Sequence, residues 1–314
     1  MNDRHQCIHR GQQHGVAVVT ALLLTTLAVT IVASLFWQQQ VQVRSIENQR
    51  LQLQKQWVLR GALDWARLIL REDGRTSTID DLNEPWAVPL SPTRLDRYVE
   101  SAAMRGDAGS AVLSGAIQDA QGRLNLTNLA TQDRVNQTEV DTFARLLSLL
   151  QQDPALANSI AQQMVAINRA ALDTQTNGVR PISYVQLDDL LVVPGCTPQM
   201  INVIRPHVVI LPTSTTVNIN TATPEVLAAR LPGLSLADAS SLASSRRQTA
   251  FRSVADLAAR LPGSSTGFDS TRLSVTSGYF MVTGIVTIRA ATLEVQALVE
   301  RLPTATRLLW VREV

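Results

Sequence analysis

Histidine, cysteine and lysine, the side chains that most often act as nucleophiles, bases or soft metal ligands, are scarce in this 314-residue chain. They are His5, His9, His14, His207, Cys7, Cys196 and Lys55. The single lysine lies in no phosphate-binding or Schiff-base motif. A Cys/His zinc site needs three or four ligands, so one outside the first fourteen residues would require carboxylates to complete it.

His207 and Cys196 are the histidine and the cysteine beyond the N-terminal segment. His207 lies in RPHVVIL, and no G-x-S-x-G or similar nucleophile motif accompanies it, so a structural role is favoured over a catalytic one. Cys196 follows a Pro-Gly turn. A free thiol exposed in an oxidising compartment is a liability, so we expect Cys196 to be buried. These residues favour a protein without enzymatic activity.

Oxygen ligands for a hard cation are more plentiful. Two acidic clusters are Asp80, Asp81, Asn83 and Glu84, and Asp188 with Asp189. Neither has the spacing of an EF-hand loop, and solvated surface acids are the simpler interpretation. No metal ligand is assigned from the sequence.

The overall charge is nearly balanced, with 28 Lys+Arg against 26 Asp+Glu and a net charge of +2. This balance gives no bulk electrostatic case for nucleic-acid binding. With 45% hydrophobic and 17% charged residues, the composition is that of a globular chain with room for about two domains.

The N-terminal region contains an apolar run that could cross a membrane. Residues 16–37 carry no charged side chain and follow a polar segment with Arg4 and Arg10. As a helix, 22 residues span about 33 Å, enough for a hydrocarbon core of roughly 30 Å. The arginines before the run favour a cytoplasmic N-terminus and a translocated remainder, that is, a single-pass protein.

The helix is expected to continue well beyond the apolar run. No proline or glycine occurs before Gly61, and larger residues recur at helical spacing at Ile46, Leu53, Trp57, Arg60, Asp64 and Leu68. The sequence predicts one helix from about Val16 to about Arg71, half in lipid and half packed on a domain. A cleaved secretory signal or a plain signal anchor are the alternatives.

The residues at the start of the run resemble a processing site. The leader MNDRHQCIHRGQQHG ends in Gly15 and the apolar helix starts at once at Val16. This resembles the prepilin leader of type IV pilins and type II secretion pseudopilins. The resemblance implies that a prepilin peptidase cleaves after Gly15 on the cytoplasmic side and that Val16 becomes N-methylated.

Position 20 departs from the usual pattern of that family. Where most members carry Glu at the fifth mature position, this chain has Thr20. The family's Glu is thought to pair with the N-terminal amine of the subunit ahead, because a carboxylate in lipid is costly unless it is paired. The lack of an acid resembles the protein K class of minor pseudopilins and implies a subunit at the filament tip.

The rest of the chain alternates between strand and helix character. Residues 73–97 are rich in Pro and Gly and are predicted as a loop, in which EPWA resembles a segment of protein K. Ala111–Asp119 is predicted as a strand that turns at Gln121-Gly122 into a second short strand over Arg123–Leu126. The string DAQGRLNLTNL resembles the hairpin that enters the large insertion of protein K.

From about residue 130 to about residue 270 the periodicity is helical. Prolines near helix starts are Pro154, Pro198 and Pro224, and Thr197 and Thr223 are suited to N-capping. Strand signals return over residues 279–288, 290–300 and 307–312.

Strand material therefore brackets a helical block. The predicted fold class is α+β: a long N-terminal α-helix packed on an antiparallel β-sheet, with a large inserted all-α domain. The name of this architecture, a pilin-like fold with an insertion, comes from the resemblance. The expected parts are a leader (1–15), the transmembrane half of the helix (16–37), the first part of the pilin-like domain (38–129), the insertion (130–270) and the C-terminal strands (271–314).

Three Pro-Gly segments in the helical block resemble helix-hairpin-helix elements. They are LLVVPGCTPQM, LAARLPGLSLAD and LAARLPGSST. DNA-binding hairpins use a second Gly and nearby basic residues. The second Gly is missing after Gly195 and Gly233, and Arg246 and Arg247 are the close basic pair. A scaffold role is favoured because a Pro-Gly turn ordinarily ends a helix.

The resemblance implies a non-enzymatic role at the tip of the type II secretion pseudopilus, where the chain would initiate and cap assembly for protein export. The implied partners are minor pseudopilins I and J, with pseudopilin H, the major pseudopilin and secreted substrates as further candidates and no nucleic acid. The implied location is the inner membrane, with the C-terminal domain in the periplasm. The resemblance implies no cofactor other than calcium, which members of the family bind. The alternatives are a membrane-anchored DNA-binding protein and a single-span periplasmic enzyme.

Overall fold

The computed structural model of the protein describes residues 14–95, 111–172, 183–261, 267–288 and 291–314. The chain divides into two compact units, Met1–Gln56 and Trp57–Val314. In its described part, the first unit is a helix whose apolar side chains point outward. The second unit contains all the strands of the described residues and their cores.

The order of helices and strands agrees with the predicted block of helices between strands. The α-helices are α1 (His14–Thr76), α2 (Gln137–Leu149), α3 (Leu156–Leu172), α4 (Pro198–Ile204), α5 (Pro224–Arg230), α6 (Leu236–Ser245) and α7 (Val254–Arg260). The strands are β1 (Leu90–Arg94), β2 (Val112–Asp119), β3 (Leu124–Asn125), β4 (Ala130–Thr131), β5 (Arg134–Val135), β6 (Val208–Val209), β7 (Val217–Asn218), β8 (Leu273–Ser274), β9 (Tyr279–Ile288), β10 (Ala291–Arg301) and β11 (Thr306–Glu313).

The main sheet has five antiparallel strands in the order β1-β2-β9-β10-β11. Strands β2 and β9 are neighbours in space, although helices α2 to α7 lie between them in sequence. In β9 buried side chains alternate with half-buried ones, because successive residues of a strand point to opposite faces of the sheet. The predicted insertion of a helical block between strands of one sheet is confirmed.

The C-terminal part of α1 packs on one face of this sheet. Leu63, Ala66 and Leu70 lie against Phe280 and Val282, and all five side chains are buried. The EPWA segment forms a short 3-10 turn over Pro85–Ala87 that places Trp86 beside Phe280, with the rings 5.2 Å apart at 72°. Edge-to-face packing of this kind favours one ring arrangement.

The inserted helices have a large core of their own, which runs from Leu124 to Leu273. Two of the predicted helix starts are confirmed in detail. The Thr197 and Thr223 hydroxyls accept hydrogen bonds from the backbone N–H groups of Met200 and Val226, which satisfies donors at the first turn. Pro198 and Pro224 each occupy a first helical position, whereas Pro154 lies two residues before α3.

Two predictions on the strands are wrong. The segment after Gln121-Gly122 does not form a hairpin with β2; instead β3 pairs in parallel with β6, so that it joins the inserted domain. Within the predicted loop 73–97, Leu90–Arg94 forms β1 at the sheet edge. Pro92 is tolerated there because an edge strand does not need every backbone N–H. The predicted domain boundaries at 130 and 270 stay predictions.

Candidate functional site

The N-terminal half of α1 has the composition of a membrane anchor. Among the described residues, α1 is the one helix long and apolar enough to span a bilayer. From Val16 to Trp37 its large apolar side chains are exposed on all sides. An all-round apolar surface on a helix is stable when lipid or other helices cover it.

Position 20 is satisfied within the helix itself. The hydroxyl of Thr20 donates to the backbone carbonyls of Val16 and Ala17, at 3.0 Å each. The side chain therefore needs no partner in a lipid environment, unlike a carboxylate. Gly15 lies in the first turn of α1, and most of the leader before it lies outside the described residues. Cleavage after Gly15 and methylation of Val16 stay predictions.

In the second unit, the residues singled out by helical spacing are not those that pack on the sheet. Trp57 is 67% exposed and Leu68 is 48% exposed, and with Trp65 they form an apolar face of α1, here called the outer face. The Arg60 guanidinium lies 5.5 Å from the centre of the Trp57 ring. Exposed tryptophans on a helix are typical of surfaces that bind another protein.

A hollow of about 340 Å³ lies next to the outer face, between α1 and the β1–β2 side of the sheet. The helix contributes Leu59, Ala62 and Trp65, and the segment leading into β1 contributes Val88. Ser114 and Thr283 are the polar residues among its described lining, and no charged residue is among them.

A buried ion cluster joins the end of α1 to the sheet. Nη1 of Arg301 donates to Oδ2 of Asp73 at 2.6 Å, and its Nη2 donates to Oδ1 of Asp80 at 2.6 Å and to the carbonyl of Ser277 at 2.7 Å. The guanidinium also lies 4.8 Å from the centre of the Phe280 ring. Burial, followed by the repulsion of Glu84, raises the pKa of Asp73 to about 7 although Arg301 opposes that rise.

The acidic residues of this cluster do not fit a calcium ion. Carboxylate oxygens of Asp73, Asp80 and Glu84 lie within 4.8 Å of one another, as a metal site would need. However, the Arg301 guanidinium already bonds both aspartates, and Glu84 Oε2 accepts from the indole N–H of Trp86 at 2.8 Å. Hard-cation ligands need free oxygen lone pairs directed at one point. The positive charge of Arg301, and not a metal ion, balances the charge of these carboxylates.

Asp80 and Glu84 of the first predicted cluster stay together, whereas the other acidic residues of the two clusters hold turns or an ion pair. Asp81 accepts from the backbone N–H of Asn83, which is a turn rather than a ligand pair. Asp188 pairs with Arg205 at 2.8 Å, and that bond lowers the pKa of Asp188. Asp189 accepts from the backbone N–H groups of Val185 and Gln186 and so holds the turn before it.

A second buried network was not anticipated from the sequence. Asp119 at the end of β2 accepts from the side chains of Asn218, Thr221 and Ser277, at 2.6 to 2.9 Å. Burial raises the pKa of Asp119, and the hydrogen bonds from Ser277 and Thr221 oppose the rise. The network connects the sheet to the inserted domain. An Asn-rich run, VNINT, is the sequence signal that could have indicated it.

Two basic residues of the hairpin segments, Arg230 and Arg246, are used inside the domain. Arg246 is buried and donates to the carbonyls of Ile219 and Ala222, and Arg230 makes two bonds to Glu139 at 2.8 and 2.9 Å. Gly195 and Gly233 have φ of +92° and +83°, the left-handed conformation of a helix end. The third segment, from Pro262 on, lies outside the described residues. Neither Arg230 nor Arg246 is free to bind a phosphate group.

His207 and Cys196 have structural surroundings. Nδ1 of His207 lies 2.9 Å from the hydroxyl of Thr223, which caps α5, and burial lowers the pKa of the imidazole. Cys196 is half-buried against the inserted core rather than fully buried as expected. Its neighbours in the turn, Pro194 and Gly195, are exposed. Burial raises its pKa, so it is less reactive than a free thiol.

Comparison with known proteins identifies the family. Two family models, both described as Type II secretion system (T2SS), protein K, match residues 122–213 and 217–276. The type II secretion system protein K of Pseudomonas aeruginosa PAO1 is 28% identical over 306 residues, which cover 89% of this chain and 86% of the relative. This chain belongs to the protein K family of the type II secretion system.

A solved structure supports the architecture expected of a protein K. A chain in the crystal structure of the GspK-GspI-GspJ complex from the enterotoxigenic Escherichia coli type 2 secretion system superposes with a TM-score of 0.65 at 20% identity. The match covers 86% of this chain and 99% of that chain. The α+β fold class is confirmed. The family is a structural component of a secretion system, and its members are not a known class of enzyme.

Proposed function

We propose that this type II secretion minor pseudopilin occupies the tip of the pseudopilus, where it initiates and caps assembly. The observation that carries the proposal is Thr20 in the exposed apolar half of α1. Its hydroxyl bonds its own helix and leaves no charge to be neutralised by a subunit ahead. A subunit with nothing above it can carry such a residue without cost.

The proposed partners are minor pseudopilins I and J, through the outer face of α1. The similar chain from E. coli was solved in a complex with GspI and GspJ. In this chain Trp57, Trp65 and Leu68 are exposed on a helix that is otherwise anchored on the sheet. Large aromatic side chains of this kind supply much of the binding energy at protein interfaces.

The proposed topology is a single pass through the inner membrane with the C-terminal unit in the periplasm. Prepilin peptidase would cleave between Gly15 and Val16, and Val16 would be methylated. Pseudopilin H, the major pseudopilin and secreted substrates remain candidate contacts of the assembled tip. Neither alternative gains support, because Arg230 and Arg246 of the hairpin segments are buried and no nucleophile motif accompanies His207.

Intact mass and N-terminal sequencing of the membrane-derived protein test this function. A mature chain that begins with methylated Val16 supports it, and a chain cut beyond Trp37 contradicts it. Gly15→Leu should block maturation, since the cleavage site would be obstructed. Co-purification of the full chain with its own partner pseudopilins, compared between wild type and Trp57→Ala, then tests the outer face. A chain that stays alone with every partner refutes the tip role.

A further inference from the structure

A groove of about 690 Å³ lies between the main sheet and the inserted domain, on the face of the sheet opposite α1. Met281 lines it and lies in β9 between Phe280 and Val282, which pack with α1, so its side chain points to the other face. Residues 185–188 and 208–210 of the inserted domain form the facing wall. This space, here called the far-face groove, is separate from the outer face of α1 and from the hollow beside it.

Two half-buried arginines line the far-face groove and bind neutral amides. Nη2 of Arg123 donates to Oε1 of Gln118 at 2.8 Å. Nη1 and Nη2 of Arg312 donate to the side-chain oxygens of Gln186 and Gln296, at 3.0 and 2.7 Å. An amide oxygen accepts a hydrogen bond but carries no net charge, so it does not neutralise a guanidinium. Each arginine also has further N–H groups that these bonds do not use.

The acidic residues nearby are engaged elsewhere or make no bond to these two cations. The hydrogen bond from Arg205 lowers the pKa of Asp188, and the charge of Arg312 adds to this effect. Glu313 is exposed and makes no ion pair among those of the described residues. The buried carboxylate of Asp119 is bonded by three other side chains. Because a cation partly removed from water is costly without an anion, a carboxylate that enters the groove would be stabilised.

Beyond the arginines the groove becomes apolar. The Arg312 guanidinium lies 4.9 Å from the centre of the Trp310 ring, a contact that orients its planar fork. Trp310 and Ile210 also line a second hollow of about 320 Å³, to which Leu298 contributes. The hydroxyl of Tyr184, another lining residue, is buried and has no hydrogen-bond partner among the described residues. An orphaned polar atom beside an apolar hollow indicates that a further group binds there.

We propose that the far-face groove binds an extended peptide segment of another protein, in which acidic side chains precede an apolar one. The acidic side chains pair with Arg123 and Arg312, and the apolar side chain enters the hollow beyond Trp310. There the Tyr184 hydroxyl donates to a backbone carbonyl of the segment. Arginines bind carboxylates through parallel N–H groups, and clusters of them commonly recognise acidic motifs. The inference goes beyond the proposed function and does not depend on the tip assignment.

The test measures peptide binding to the full chain in detergent by fluorescence anisotropy. Three fluorescein-labelled peptides share Gly and Ser flanks and one Leu, and they carry two Glu, two Gln or two Lys residues before that Leu. The Glu peptide should bind saturably and about tenfold more tightly than the Gln peptide, and raised salt should weaken it. Arg123→Gln and Arg312→Gln should each weaken its binding about tenfold. Arg134→Gln is the matched control, because that side chain is 87% exposed and lies outside the groove lining.

Melting temperatures of the variants show whether they fold, and Arg312→Lys, which keeps the charge, should retain most of the binding. Arg312→Glu should shift the preference from the Glu peptide toward the Lys peptide. Equal binding of the Glu and Gln peptides, no saturable binding of any peptide, or full binding by both Gln variants would overturn the proposal. Displacement of the Glu peptide by inorganic phosphate at equal concentration would also overturn it, because the groove would then take a small anion. No partner pseudopilin takes part, so none of these results bears on the tip function.

Discussion

Arg301, at the end of β10, donates a 2.6 Å hydrogen bond to Asp73, which lies in the last turns of α1 and is 228 residues away in the chain. The same guanidinium bonds Asp80, so one cation fixes the end of the helix and the loop that follows it to the sheet. The Arg301 side chain is 10% exposed and the two aspartates are less exposed still. The ion cluster therefore adds to the packing of Leu63, Ala66 and Leu70 in holding the C-terminal end of α1 to the sheet.

Replacing Arg301 with Gln should destabilise the protein strongly. Removal of one partner from a buried ion pair leaves uncompensated charge and typically costs about 3–5 kcal/mol. The measurement is the free energy of unfolding in urea for the full chain in detergent. Arg307→Gln is the matched control, because the Arg307 side chain is 63% exposed and its pair with Glu300 should contribute less than about 1 kcal/mol.

The same substitution should create a cation site. With the guanidinium gone, Asp73, Asp80 and Glu84 would leave carboxylate oxygens within 4.8 Å of one another without a counter-charge. Calcium should then raise the melting temperature of Arg301→Gln by several degrees more than it does for the wild type. Equal calcium responses of the two proteins would contradict the view that Arg301 takes the place of a metal ion.

The raised pKa of Asp73 predicts a pH dependence of stability. Its carboxyl group has a pKa of about 7 in the folded protein against 3.8 as the reference value, so the folded state binds its proton more tightly than the unfolded state. Stability should therefore fall as pH rises through the interval from about 4 to 7. Burial, Glu84 and Asp80 act to raise this pKa, and Arg301 acts to lower it.

Asp73→Asn tests this dependence, because the amide keeps an oxygen acceptor for Arg301 but does not titrate. The variant should have a flatter profile of unfolding free energy between pH 5 and pH 8, by up to about 2 kcal/mol. Glu72→Gln, at an exposed neighbouring position, should leave the profile unchanged. If the pH profile of Asp73→Asn keeps the slope of the wild type, a group other than Asp73 causes the pH dependence of stability.

The features predicted well from the sequence are those with a local physical cause. The long helix, the caps at Thr197 and Thr223 and strands β9 to β11 each follow from periodicity or from one side chain beside its own backbone. The prediction that strands flank a block of helices required only the order of the strand and helix signals along the chain. These properties depend on neighbours within a few residues, so a single sequence carries them.

The features that were missed depend on contacts between distant segments. Nothing near Leu124 indicates that β3 pairs with β6 rather than with β2, and nothing near Arg301 indicates Asp73 as its partner. For a similar reason, the sequence did not show which face of α1 packs on the sheet. Apolar residues recur on two sides of this helix, and only the sheet decides that Leu63 and Leu70 are buried while Trp57 and Leu68 are not.

The adjacent arginines of the hairpin region should behave differently. Arg246 is buried with two carbonyl acceptors, so Arg246→Met should leave those carbonyls unpaired and cost about 2–3 kcal/mol of stability. Arg247 is exposed, and Arg247→Met should change stability by less than about 0.5 kcal/mol. Neither variant should alter retention on duplex DNA at low salt. Salt-sensitive DNA binding that is lost in Arg247→Met would revive the nucleic-acid hypothesis.

Thr20→Glu should impair a subunit that has no neighbour above it. The Thr20 hydroxyl is satisfied by Val16 and Ala17, whereas a carboxylate at this depth would lack a partner, at a cost on the order of 1–3 kcal/mol. Export by cells that carry the variant should fall, and the mature variant should be recovered along the filament rather than at its end. Thr20→Val stays uncharged and should support normal export, since only a bond to the helix's own backbone is lost. If Thr20→Val is as defective as Thr20→Glu, then the hydroxyl rather than the absence of charge matters, and the tip assignment loses its main support.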